Sequence, residues 1–222
     1  MIFSTSDMIQ SIMILISLSV FVLKPTPGYL KFYPLYFVCG LILDFYQEYT
    51  SNRGIRNTGV VNFYNIGDFI FICLVLRGFI SNEKMKRIIL PGLVIFAVYA
   101  IINLVFIQKK VGFNPINYTV DSLIIVALCI YYFFELFQKT EVPSLSRLPA
   151  FWITSAIFFN VVLTFPMFAS LSFMNELTKL NQVSFKLIFA NLTAIFNIIL
   201  ILSYMLYSIG FLCGIRISKS TL

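Results

Sequence analysis

Val60-Val61-Asn62-Phe63-Tyr64-Asn65-Ile66-Gly67-Asp68-Phe69-Ile70-Phe71-Ile72-Cys73-Leu74-Val75-Leu76-Arg77 is an almost unbroken apolar run with one carboxylate, Asp68, inside it. A run of this length matches the ~20 residues a helix needs to cross the hydrocarbon core of a bilayer. A charged side chain inside such a helix costs about 2.5–3.5 kcal/mol on insertion scales, so it turns toward protein or water and marks a candidate site. The stretch therefore predicts a transmembrane helix over 60–80 with a polar feature that the rest of the chain must accommodate.

The rest of the chain has the same character. Of its 222 residues, 59% are hydrophobic and 11% charged, and mean hydropathy is +0.92. A soluble domain of this size needs more polar surface than that composition supplies. In lipid every backbone polar group must be satisfied within the membrane segment, which leaves helices or a closed barrel. The apolar runs are continuous rather than alternating, so they exclude barrel strands.

Further spans are expected over 8–23, 31–49, 88–108, 117–137, 150–172 and 184–215. Breaker-rich or polar segments divide them: Lys24-Pro25-Thr26-Pro27-Gly28, 50–58, 81–87, 109–115, 138–149 and 173–183. Pro91 falls in the first turn of the fourth expected span, where proline is tolerated. Pro166 predicts a kink or local break in the sixth. The N-terminal residues carry no Lys or Arg before the first apolar run, and no small-residue cleavage site follows, so that run is expected to be a span and not a secretory signal. The expectation is an all-α polytopic membrane protein, a single seven-transmembrane-helix bundle over 1–222.

Orientation follows from basic residues. Ten of the 16 Lys and Arg fall on the side of the C-terminus, Arg77, Lys84, Lys86 and Arg87 among them, and six on the other. The positive-inside rule then puts the C-terminus in the cytoplasm and the N-terminus outside. The formal net charge of +7 is scattered over short loops, with no basic stripe and no nucleic-acid motif, so nucleic acid is not an expected partner.

The chain has no histidine, which removes the commonest general base, imidazole metal ligands and an axial haem histidine. The four cysteines stand singly in apolar segments, without metal-ligand spacing, and read as small buried residues. No metal and no cofactor are expected.

Placed on the expected spans, the intramembrane polar groups gather in the outer half. Asp44, with Gln47 and Glu48, lies near the outer end of span two. Asp68 has Tyr64 and Asn65 one turn above it. Asn103 is near the outer end of span four and Asp121 one turn into span five. Lys186, Thr193 and Asn197 form a stripe on span seven, and Asn160 and Thr164 share a face of span six. Together they predict a polar, net-acidic cup open to the outside, made of Asp68, Asn65, Tyr64, Asp44, Asn103, Asp121, Lys186 and Asn197. Each also has a plainer explanation. Asp44, Glu48 and Asp121 suit hydrated helix ends. Asn103, Asn160, Asn191 and Asn197 suit interhelical hydrogen bonding. Asp68 and Lys186 suit a structural ion pair. Glu135 and Lys139 have the favourable i,i+4 order of a solvated pair, and Tyr131, Tyr132, Phe133 and Phe134, with Trp152, suit an inner aromatic belt.

Three segments carry a resemblance: Phe63-Tyr64-Asn65-Ile66-Gly67-Asp68-Phe69, Ile130-Tyr131-Tyr132-Phe133-Phe134-Glu135-Leu136-Phe137 and Pro149-Ala150-Phe151-Trp152-Ile153. In these the chain resembles a group of small, uncharacterised seven-span integral membrane proteins of Bacteroidetes-type bacteria. The resemblance covers roughly spans two to six and departs at Gly67-Asp68, where the group more often has Pro followed by Glu. It implies a bacterial cytoplasmic (inner) membrane and the same topology, and brings no activity with it.

Three functions are compatible with these residues. The first is a receptor-like or sensory protein that binds a small-molecule ligand in the cup and signals through a separate protein partner, with the lipid bilayer as its surroundings. The second is a small-solute or proton-coupled transporter. No internal repeat and no Pro-Gln dipeptide of the seven-span sugar-transporter type support it, and the inner half lacks polar residues to complete a path. The third is a membrane enzyme that uses an intramembrane carboxylate, as small carotenoid cyclases are thought to do. Without histidine or a Ser- or Cys-based constellation it ranks last, and no catalytic residue is assigned. A retinal photoreceptor is set aside because Lys186 lies near an outer end.

Overall fold

A computed structural model gives the fold; it describes residues 5–21, 28–107, 113–138, 144–178 and 182–220, with side chains for 7–21, 28, 30–107, 113–138, 144–169, 192 and 194–214. The chain is all-α, with no strand among the described residues. Seven α-helices follow one another: α1 Thr5–Ser17, α2 Tyr33–Asn52, α3 Thr58–Phe79, α4 Glu83–Ile102, α5 Pro115–Phe137, α6 Pro149–Thr178 and α7 Gln182–Ser220. A 3-10 turn, Leu18–Phe21, continues α1, and a π turn, Asn103–Ile107, continues α4.

Among the described residues five helical stretches are long and apolar enough to cross a membrane: Thr58–Phe79, Glu83–Ile107, Pro115–Phe137, Pro149–Ala169 and Ala194–Gly214. The apolar helix Asp7–Phe21 is shorter, and α2, 20 residues long, carries Asp44, Gln47 and Glu48. The chain is thus a helical bundle of membrane-protein type.

Helix ends are set by local chemistry. The Asn114 side chain caps α5 by accepting from Asn117 N at 2.9 Å, and Pro115 takes the first position, where its missing N–H costs nothing. The Asn82 side chain caps α4, accepting from Lys84 N and Met85 N. This cap, with the Glu83–Lys86 pair at 2.8 Å, starts α4 well before its apolar run. Pro91 is therefore inside the helix and not in its first turn. The carbonyl it leaves without an intrahelical donor is that of Arg87, an exposed residue at the polar end of the helix. α2 ends in a Schellman motif. Gly54, at φ 66°, donates to Ser51 O and Ile55 N donates to Thr50 O, closing the turn into α3.

α6 runs through Pro166 without a break. It packs along α7 in the most extensive helix pair of the bundle. A Cβ on Gly210 of α7 would lie 2.9 Å from Ile153 Cγ1 and 3.3 Å from Pro149 O. Small residues permit this kind of backbone approach in membrane bundles.

Neighbouring helices pair as α4–α3–α5–α6–α7–α1–α2. α2 and α3, consecutive in sequence, are not among the extensively packed pairs. They meet near the start of α2, where the Tyr36 and Phe71 rings stack at 4.4 Å and 11° and Tyr33 meets Phe71 edge-on at 5.2 Å. At the other end Asn57 Nδ2 donates to Thr50 Oγ1 at 3.0 Å across their connection. Between these two ties the helices touch only through side chains, the Tyr64 hydroxyl lying against Gly40.

Two expectations change at the end where α3 and α5 finish. Glu135 accepts from Ser81 N through both carboxylate oxygens, at 3.0 and 2.9 Å, so it fixes the α3–α4 connection; Lys139, its expected partner, lies outside the described residues. Tyr132 is buried against Phe79, and Phe133 packs on Phe151 and Phe158, so the aromatic run is partly core and not wholly a belt.

Candidate functional site

Asp68 sits ten residues into α3, about 15 Å from its start at a rise of 1.5 Å per residue, and thus near the middle of the helix. Tyr64, one turn earlier, and Phe71, one turn later, share its face, as i−4 and i+3 neighbours must. Beside it is Gly67, where an added Cβ would meet nothing within 4 Å. Across the gap, α2 contributes Tyr36, whose hydroxyl donates to the Asp68 carboxylate.

These residues form the polar part of a groove of about 660 Å³ between α2 and α3. Leu35 and Cys39 on one wall and Gly67 and Leu74 on the other are exposed on the flank of the bundle. The groove therefore opens sideways, toward the space lipid occupies around a membrane bundle. Its volume falls in the ~300–1,000 Å³ range of small-molecule sites, and its composition, apolar walls with a few convergent polar groups, is typical of them.

A second, smaller cavity lies on the other side of Tyr36 and Tyr64, toward α1, α6 and α7. The two tyrosines line both spaces and so form the partition between them. The Tyr64 hydroxyl fits against Gly40 of α2, where a Cβ would come within 3.3 Å of it.

Among the described residues, the members of the expected cup do not all line one space. Asp68 and Tyr64 line the groove, while Asn65 is half-buried and not part of its lining. Asp44 is exposed toward the end of α2 and bonded to α1. With the Gln10 amide oriented to satisfy both neighbours, its nitrogen donates to Asp44 Oδ2 at 2.9 Å and its oxygen accepts from Leu41 N at 3.0 Å. Asn103, only 2% exposed, donates to Asn117 Oδ1 at 2.7 Å, and Asn117 Nδ2 donates in turn to Ala100 O at 3.1 Å. Asn114 N donates to Asn62 Oδ1 at 3.1 Å, so this buried amide network ties α3, α4 and α5 together. That is the interhelical bonding expected of Asn103.

Asp121 is the seventh residue of α5 and 6% exposed, accepting from Ser122 Oγ at 3.2 Å. Because the Asn114–Pro115 cap starts α5 earlier than its apolar run, Asp121 is carried into the bundle and is not a hydrated helix-end charge. Asn197 is half-buried on α7 and lines neither space. Lys186 belongs to α7, but its side chain, like those of Asn191 and Thr193, lies outside the described residues.

Tyr36, Gln10, Tyr204 and Tyr207 are site residues that sequence reasoning missed. Their signal was present as spacing. Tyr33, Tyr36, Phe37, Gly40 and Asp44 recur at i, i+3, i+4, i+7 and i+11 on α2. Leu200, Ser203, Tyr204, Tyr207 and Phe211 do the same on α7. The first stripe carries both ring contacts and the tyrosine that meets Asp68.

Chemically, the groove offers an apolar molecule one carboxyl and two phenol groups at mid-helix depth. The chain matches no known protein family, no curated protein and no solved structure.

Proposed function

We propose that the chain is a receptor-like membrane protein whose ligand is a small, largely apolar molecule with one hydrogen-bonding or cationic group. The ligand enters sideways from the bilayer between α2 and α3, and its polar group meets Asp68, Tyr36 and Tyr64. The observation that carries this reading is the lateral groove, with its single carboxyl–phenol pair in apolar walls. In the proposed topology all seven helices cross a bacterial inner membrane, with the N-terminus outside and the C-terminus in the cytoplasm. Ligand binding changes the separation of α2 and α3, and a separate signalling protein reads that change. A ligand moves helices only through different affinity for two arrangements, and α2 and α3 are the pair with room to have two.

The second reading is a membrane enzyme, favoured by the same pair. A protonated carboxyl facing an apolar cavity is placed to protonate an alkene, as in cyclase-like chemistry. Transport of a polar solute has less support, because the groove walls are apolar along most of their length.

The test is extraction. Purified protein in nanodiscs is stripped with organic solvent and the released molecules are compared with those from Gly67→Trp, a substitution that fills the groove from a position with open space beside it. A molecule enriched in the parent and lost in the variant supports binding. Identical extracts from both contradict it. A released molecule chemically altered by the parent, and only by the parent, moves the assignment to the enzyme.

A further inference from the structure

The space behind Tyr36 and Tyr64 differs from the groove in chemistry. Its volume is about 70 Å³, and besides the two tyrosines its polar lining is Gln10, Asn160, Ser203, Tyr204 and Tyr207, with Phe37 and Leu200 completing the wall. One water needs roughly 10–15 Å³ on the same measure, so more than one fits. A space of this size with polar walls is a hydration site, whereas an apolar one stays dry.

Asn160 supplies an independent reason. Its Oδ1 is fully buried and has no hydrogen-bond partner among the described residues. Leaving a buried acceptor unsatisfied is costly, because it has given up its bonds to water and gained none in return. A water in the adjoining cavity removes that cost by donating to it. Ser203 Oγ donates to Ile199 O at 2.9 Å, which leaves its lone pairs free to accept from the same water.

We infer that this cavity binds one or two ordered waters, anchored on Asn160 and Ser203, and that these waters hydrate the Tyr36 and Tyr64 side chains, which part the cavity from the groove. Tyr36 and Tyr64 then meet an apolar groove on one side and water on the other. The Gln10 amide, which lines the cavity, is bonded to exposed Asp44. The other titratable groups that interact electrostatically with Asp68 come from three helices. They are Tyr64 and Cys73 on α3, Tyr118 and Asp121 on α5, and Tyr204 and Tyr207 on α7.

Radiolytic footprinting in ¹⁸O-labelled water tests the inference, because a side chain next to bound water is oxidised by radicals formed from that water. Tyr132, buried but lining neither space, is the reference. In the parent protein Tyr204 and Tyr207 are expected to take up ¹⁸O on the order of tenfold faster than Tyr132, as side chains in contact with ordered water. Asn160→Leu, which removes the anchor and fills the space, is expected to lower them to the Tyr132 rate. Equal rates for all three tyrosines in the parent would overturn the inference, and so would an unchanged ratio in a folded Asn160→Leu. If that variant does not fold, Tyr132 itself becomes fast and the parent ratio alone decides. Neither readout depends on groove occupancy, so failure here and failure of the extraction test are distinguishable.

Discussion

Two glycines, Gly210 and Gly67, stand in opposite packing environments. At Gly210 a Cβ would come within 2.9 Å of Ile153 and 3.3 Å of Trp152 Cβ, because α6 and α7 are pressed together. At Gly67 a Cβ would meet nothing, because α3 stands away from α2 at that level. The same residue type thus permits contact in one place and leaves space in the other. A bundle held by van der Waals packing rather than by a hydrophobic driving force gains from closing every such gap. The open gap lies where the carboxylate is.

The contrast can be broken by substitution. The largest effect is expected from Gly210→Leu. Forcing a side chain into the α6–α7 contact costs about 1–3 kcal/mol or more by overpacking, and thermal unfolding in detergent checks it. A Gly210→Leu protein as stable as the parent would show that α6 and α7 are free to separate. Next comes Tyr36→Phe, which removes the hydroxyl that donates to Asp68 and leaves a half-buried acceptor poorer by one bond, a loss of about 1 kcal/mol. Double substitution with Asp68→Asn measures how much of that loss belongs to the pair.

A smaller loss is expected from Asn103→Leu, which leaves Asn117 Oδ1 without its donor. Interhelical hydrogen bonds in membranes average about 0.6 kcal/mol and reach about 1.7. The variant is expected to lose that much stability while ligand extraction is unchanged, because the amide network lies outside the groove. Gly67→Ala has the smallest effect and the opposite sign. Replacing a mid-helix glycine where the methyl group meets no neighbour stabilises by about 0.5–1 kcal/mol. It narrows the groove at the same time, so a rise in unfolding temperature paired with weaker ligand retention is the expected result.

Much of the fold was legible in the sequence because each apolar run of about 20 residues reports a bilayer crossing by itself. What it reported less well were helix ends. Asn82 and Asn114 are caps that start helices before the apolar residues do, and they shift Pro91 and Asp121 from ends to interiors. Asp68 was legible as a costly charge within one helix. Its partner was not, because Tyr36 on α2 is an ordinary aromatic in its own helix. Only the separation of α2 and α3, a property of two helices and their neighbours, makes it part of a site. The described members of the outer cup are dispersed for the same reason. Depth along each helix can be counted from the sequence, but the direction a residue faces within the bundle cannot.

The most direct test of an open α2–α3 flank is carbene labelling from within the membrane. A small apolar diazirine is dissolved in the bilayer, photolysed, and its adducts are mapped by mass spectrometry. The account predicts adducts at Asp68, Tyr64 and Cys39, lost in Gly67→Trp, and none at Ile153 beneath Gly210 in either protein. Labelling of Asp68 that survives Gly67→Trp, or no labelling of Asp68 in the parent, would contradict it.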